Sequence, residues 1–174
     1  MQAAHLFNTI PAYNYQGSHA MDGSGKQHKT TTLMKNLIKA NNLDSFLNKN
    51  KEDFNVPPFH KYIQSICDER HISAEQIIKS ADIDRTYGHQ LFNGTRNPSR
   101  DNVIKLAIAF KFNLEQTQKL LCIAGKSSLY PRIERDSVIV FSISKGYDVQ
   151  HVQELLYEHN LSLLGKSKAY EELS

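Results

Sequence analysis

The fold of this chain is decided by residues 73–99, which read SAEQIIKSADIDRTYGHQLFNGTRNPS. The first four residues fit a capping box, in which the Ser73 hydroxyl and the Gln76 side chain each satisfy a backbone amide of the first helical turn. A tight turn is predicted at Asp82-Ile83, and Asp84 is a suitable N-cap for a second helix. The stretch therefore predicts two short capped helices joined by a tight turn, the arrangement called a helix-turn-helix.

The second helix is predicted to run from Asp84 to Asn93, where Asn93-Gly94 ends it because both residues tolerate a left-handed backbone. Five apolar positions are expected to seal the two helices: Ile77, Ala81, Ile83, Tyr87 and Leu91. The outward positions of the second helix carry polar side chains. These are Arg85, Thr86, His89, Gln90 and Asn93. Arginine can bind guanine and glutamine can bind adenine in the major groove of DNA, so this face favours base recognition.

Helical patterns flank the motif on both sides. A helix is predicted from Pro58 to Arg70, before the motif. A fourth helix begins at the cap Ser99, and a fifth begins at the capping box of Asn113 and ends before Gly125. Residues 58–126 are therefore predicted to form a five-helix domain.

Three further segments lie outside this domain. Residues 1–30 show no sustained periodicity and are interpreted as a disordered segment or a tag remnant. Residues 31–57 predict a short helical arm that either packs on the main body or binds a partner. Residues 127–174 predict a C-terminal extension of two helices, Arg132–Ser144 and Asp148–Glu158. Within it, residues 129–164 either form a homodimer interface or thicken the core.

Positive charge concentrates near the predicted second helix of the motif. The chain carries a formal net charge of +3, but between Arg85 and Lys111 five basic residues face a single acid, a local balance of +4. Phosphate contacts supply most of the salt-dependent affinity for DNA, and they need basic side chains at the interface. This distribution favours an anionic partner at the motif.

From Ile72 to Ala124 the chain resembles the lambda/Cro repressor-like helix-turn-helix domain, also called the XRE family. The resemblance rests on the order of its parts: Ile77 to Tyr87 around the turn, Asn93-Gly94, the loop proline Pro98, and the apolar helix from Val103 to Phe110. It implies a five-helix DNA-binding domain that acts as a dimer in transcriptional control. Mapped onto this chain, the base-reading positions are Arg85, Thr86, His89 and Gln90. The positions that contact the DNA backbone are Ser73, Asn93, Arg96 and Arg100.

Three residues depart from the pattern of the family. Asp82 replaces the usual glycine of the turn, which costs little because aspartate tolerates a positive φ. Ile78 replaces a small alanine and is expected to splay the helix pair. Gly88 lies inside the second helix, where it costs up to about 1 kcal/mol relative to alanine. Its missing side chain suggests a close approach to DNA or to another helix, or a surface that has come to bind protein.

Other function classes have little support in the sequence. The eight histidines show no metal-ligand spacing, no catalytic arrangement is legible, and no cofactor is implied. The two cysteines, Cys67 and Cys122, are expected to be buried and reduced, which favours a cytoplasmic location, and no apolar run suggests a membrane partner. We therefore expect an all-α, non-enzymatic protein that binds specific double-stranded DNA. The alternative is an adaptor that uses the same scaffold to bind a protein partner.

Overall fold

The computed structural model describes residues 30–165, which contain helices and no strand, and the predicted all-α class is confirmed. The described part divides into two compact units, one ending at Val56 and the other beginning at Pro57. The predicted disordered segment or tag remnant lies outside the described residues except for Thr30, and so do residues 166–174. The helices are α1 (Thr30–Ile38), α2 (Leu43–Lys49), α3 (Phe59–Arg70), α4 (Ala74–Ser80), α5 (Arg85–Phe92), α6 (Arg100–Ala109), α7 (Leu114–Ile123), α8 (Glu134–Lys145) and α9 (Val149–Glu158).

The first unit contains the two short helices predicted for the arm, α1 and α2. Helix α2 begins at the N-cap Asn42, whose Oδ1 accepts a hydrogen bond from the Ser45 amide at 2.8 Å. Phe46 is buried and meets the ring of Phe54 edge-on, with the ring centroids 6.2 Å apart. Many of the remaining large apolar side chains of this unit, Ile38 among them, are exposed.

Side-chain caps begin α4–α7 and α9, as the sequence predicts. Both predicted capping boxes are present, at Ser73 and at Asn113. Asp84 caps α5 by accepting the Tyr87 amide at 3.0 Å, and Ser99 caps α6. Because caps depend on residues three positions apart, they were readable from the sequence alone.

The core of the second unit is formed by α3–α7 together with the inner faces of α8 and α9. Helix α5 contacts α3 and α4, while α6 contacts α4 and α7. Leu91 is fully buried, as predicted. Tyr87 was predicted to face inward, but it is half-buried and its hydroxyl donates to the Asn97 carbonyl at 3.3 Å. The inward position next to it is Gly88.

Gly88 of α5 packs directly against the side chain of Ile78 in α4. A Cβ atom built on Gly88 would lie 2.6 Å from Cγ2 and 2.8 Å from Cγ1 of Ile78, which is itself almost wholly buried. Carbon atoms in contact normally lie about 3.5–4.0 Å apart, so a side chain at position 88 does not fit. The expectation that Ile78 splays the helices is therefore wrong, because its bulk occupies the space that Gly88 leaves.

The C-terminal helices α8 and α9 belong to the same compact unit as α3–α7. Two ion pairs join the start of α6 to the start of α8: Arg100–Asp136 at 2.8 Å and Asp101–Arg135 at 3.0 Å. Burial raises the pKa of Asp136, but hydrogen bonds from Arg100 and the Tyr130 amide outweigh it, so this pKa lies below its usual value.

Two further expectations concern burial. Cys67 is buried as predicted, and burial raises the pKa of its thiol to about 11, but Cys122 is exposed, which corrects the prediction for that residue. Among the apolar residues of the C-terminal helices, Val152 and Leu156 are core, whereas Phe141 is 50% exposed. No helix in the described part of the chain is long and apolar enough to cross a membrane.

Candidate nucleic-acid interface

The turn between α4 and α5 is contacted by a buried lysine, Lys105 of α6. Asp82 adopts a φ of +49°, as expected for an aspartate in the place of a glycine. The ammonium group of Lys105 donates to the Asp82 carbonyl at 2.9 Å and lies 3.5 Å from its carboxylate. Because Lys105 is only 2% exposed, these contacts satisfy a charge that would be costly to bury alone. They join α6 to the turn that precedes α5.

The loop after α5 forms backbone hydrogen bonds with the end of that helix. The Gln90 carbonyl accepts the amides of Thr95 at 3.0 Å and Arg96 at 3.3 Å. Gly94 has a φ of +76°, and a Cβ there would lie 2.6 Å from the ring of His60 in α3. These contacts join the loop to the end of α5 and place it against α3.

The four predicted base-reading residues lie together on α5. Arg85 and Thr86 are exposed in its first turn, and His89 and Gln90 are half-exposed one turn later. Residues three and four positions apart share one face of a helix, so the four side chains border one patch. We call this patch, together with the loop residue Arg96, the α5 face.

Glu75, in the first turn of α4, borders the α5 face, a contact that the sequence pattern does not predict. Its Oε1 accepts from Nε of Arg85 at 2.9 Å, and its Oε2 lies 2.8 Å from Nε2 of His89. The hydrogen bond with His89 and the charge of Arg85 hold the pKa of Glu75 below its usual value. Its place in the first turn of α4, next to α5, was the signal that could have revealed it.

The four predicted DNA-backbone residues do not form one group. The Ser73 hydroxyl is used in the capping box, where it accepts the Gln76 amide at 3.2 Å. Asn93 is the exposed C-cap of α5, with a right-handed backbone, so Gly94 alone of the pair supplies the left-handed residue. Arg96 is exposed in the loop.

The side chain of Arg100 forms hydrogen bonds within the protein. It donates to both carboxylate oxygens of Asp136, at 3.0 and 2.8 Å, and to the carbonyls of Ser127 and Ser128, each at 3.0 Å. Its side chain is 24% exposed. A guanidinium with these partners joins α6 to α8, and we leave it out of the α5 face.

Residues 85–111 carry a net charge of +4, but the surface of the motif does not present four unpaired positive charges. Lys105 is buried beneath the turn, and Lys111 donates to the Gly146 carbonyl at 3.2 Å. Arg85 is paired with Glu75 and Arg100 with Asp136. Of the five basic residues counted, Arg96 alone makes no ion pair or side-chain hydrogen bond with a residue that the structure describes. The α5 face is therefore polar and only weakly cationic.

Comparisons with protein-family models, with curated proteins and with solved structures find no match to this chain.

Proposed function

We propose that α3–α7 form a lambda/Cro repressor-like helix-turn-helix domain and that the chain binds specific double-stranded DNA, as a transcriptional regulator. In this proposal the segment Asp84–Asn93 enters the major groove. One observation carries the proposal: α5 presents Arg85, Thr86, His89 and Gln90 on one accessible patch beside a loop that is hydrogen-bonded to it. The hydrogen bonds matter because a surface that is ordered before binding loses little entropy on binding.

The residues of the α5 face have separate roles in this proposal. Arg85 and Gln90 read base edges, since their side chains match guanine and adenine in the major groove. Thr86, at the start of the helix, contacts a phosphate or a thymine methyl group. Arg96 contacts a phosphate, a contact that fixes register and carries no sequence information.

The test is selection of bound sequences from a random double-stranded DNA pool at about 0.15 M salt, followed by titrations with variants. Arg85→Ala and Gln90→Ala should each weaken binding to the selected site by about 1–3 kcal/mol. Arg96→Ala should weaken binding to all sequences alike and reduce the salt slope by about one. Lys51→Ala is the control, since it removes one exposed charge from the compact unit that does not contain α5.

Binding without any enriched sequence, or base-reading variants that bind like the wild type, would refute the groove assignment. Enrichment of an inverted repeat would add half-site spacing to the proposal, because a two-fold operator reflects a two-fold protein.

We also propose that two copies pair through residues 129–164. The supporting observation is an apolar groove of about 260 Å³, lined by Ser137, Val138, Phe141, Leu155 and His159. Two half-sites one turn of DNA apart need two recognition helices, which makes a second copy the fitting occupant. Phe141→Glu should convert a dimer to a monomer in sedimentation experiments while the helical content stays unchanged. A wild-type chain that sediments as a monomer at all concentrations would refute the pairing.

A protein adaptor is the second candidate. It is favoured by the pairing of Glu75 with Arg85 and His89, which lowers the positive charge of the α5 face. Enrichment of a specific sequence at about 0.15 M salt would count against the adaptor, because contacts to phosphates alone carry no sequence information. Absence of DNA binding even at low salt would favour it.

A further inference from the structure

Glu75 has no role in the base-reading scheme, yet it touches two of the four base-reading residues. Its two carboxylate oxygens take different partners, Arg85 and His89, which lie one helical turn apart on α5. The side chain of Glu75 is 50% exposed, so the carboxylate lies at the surface that would approach phosphates. Exposed ion pairs add little to folding stability, so stability alone gives no reason for this arrangement.

We propose that Glu75 determines the specificity of the α5 face by restraining Arg85 and His89 in the free protein. The inference rests on the proposed function. Phosphates can take Arg85 from Glu75 only by bringing negative charge close to a carboxylate that has lost its arginine, and like charges at an interface repel. A base edge with an amino group, such as that of cytosine, can instead donate to the carboxylate. Glu75 therefore penalises sites that offer phosphates alone more than sites that also offer such a donor.

The chain offers a matched control for a substitution of Glu75. Glu75 is the second residue of α4, directly after a capping-box serine and one alanine. Glu115 is the second residue of α7, at the same place in the other capping box, and is exposed. Glu75→Gln and Glu115→Gln therefore change the net charge and the helix dipole interaction in the same way. Only the first removes the carboxylate beside Arg85 and His89.

The experiment measures affinity for the selected site and for a scrambled duplex, with the full chain at several salt concentrations. We expect Glu75→Gln to raise affinity for the scrambled duplex about tenfold and to steepen its salt slope by about one. The preference for the selected site should fall, and sequence selection with this variant should lose discrimination at one base pair. Glu115→Gln should match the wild type in each measurement.

Separate outcomes overturn the inference and the proposed function. If the wild type selects a sequence but Glu75→Gln behaves like Glu115→Gln, or binds both duplexes more weakly, the role of Glu75 is refuted and DNA binding stands. If the wild type binds no DNA and Glu75→Gln alone does, the proposed function of the wild-type chain is refuted, and with it the role of Glu75 in its specificity. If the wild type and both variants bind no DNA at low salt, both proposals are refuted.

Discussion

Replacement of Gly88 by alanine tests whether α4 and α5 pack as closely as the structure shows. In an exposed helix this change stabilises by up to about 1 kcal/mol, since alanine has the highest helix propensity. Here the new methyl group would lie 2.6 Å from Cγ2 of Ile78, about 1 Å closer than ordinary contact. Isoleucine is branched at Cβ, so its χ1 rotamers are restricted. The Ile78 side chain is also buried, so neighbouring residues oppose a shift away from the new methyl group.

The expected magnitudes follow from these opposing effects. Overpacking a core typically costs about 1–3 kcal/mol, which exceeds the gain in propensity, so Gly88→Ala should destabilise the protein by about 1 kcal/mol. Ile78→Ala alone creates a cavity and should cost about 2–5 kcal/mol. The double variant removes all three isoleucine atoms that the new methyl group would meet. Its loss should therefore be smaller than the sum of the two single losses by about 1–3 kcal/mol.

The assay is equilibrium unfolding in urea, followed by far-UV circular dichroism for the wild type, both single variants and the double variant. Thr86→Ala is the control, because it introduces the same residue on the exposed side of the same helix. A Gly88→Ala variant that is more stable than the wild type would refute the close packing. So would free energies that add to within about 0.5 kcal/mol, since independent sites behave in that way.

Three other predictions follow from buried or paired charges. The pKa of Asp136 is lower in the folded protein than its unfolded value of about 3.9. The stability that this carboxylate contributes is therefore present above the unfolded pKa and is lost as the pH falls through the folded pKa. Asp136→Asn should lower the Tm at pH 7 and reduce the decrease in Tm on acidification, measured by thermal unfolding. Lys105→Met should cost about 1–3 kcal/mol in urea unfolding, because the Asp82 carbonyl loses its donor, yet leave the salt slope of DNA binding unchanged. In an NMR titration, His89→Ala should move the pKa of Glu75 up toward its usual value, and an unchanged titration would contradict the pairing.

The features that the sequence predicted well are local. The caps at Ser73 and Asp84 depend on residues three positions away, so the boundaries of α4 and α5 were legible. The relation of Gly88 to Ile78 is not local, and each residue alone looked like a defect of the motif. Only the packing of α4 against α5 shows that the two departures compensate, because the space one residue leaves is filled by the other.

Burial of Lys105 had a signal in the sequence, although charge counting concealed it. The lysine interrupts an apolar run from Val103 to Ile108, and every residue of that run is buried. A helix that is apolar on all sides lies in the centre of a domain, so a lysine within it is expected to reach an internal acceptor. Pairing of Arg100 with Asp136 had no comparable signal, because the two residues are 36 positions apart.

These placements change which physical argument supports DNA binding. Counting charges along residues 85–111 favoured a strongly cationic surface, but Lys105 is internal and Arg100 joins two helices. Each phosphate contact contributes about 0.9 to the salt slope, so a face on which Arg96 contacts a phosphate and Arg85 reads a base supports only a shallow slope of about one. In the proposed function, affinity then comes mainly from base edges, which discriminate between sequences. A weakly cationic face with a carboxylate at its border is consistent with a protein that binds few sites well rather than all DNA moderately.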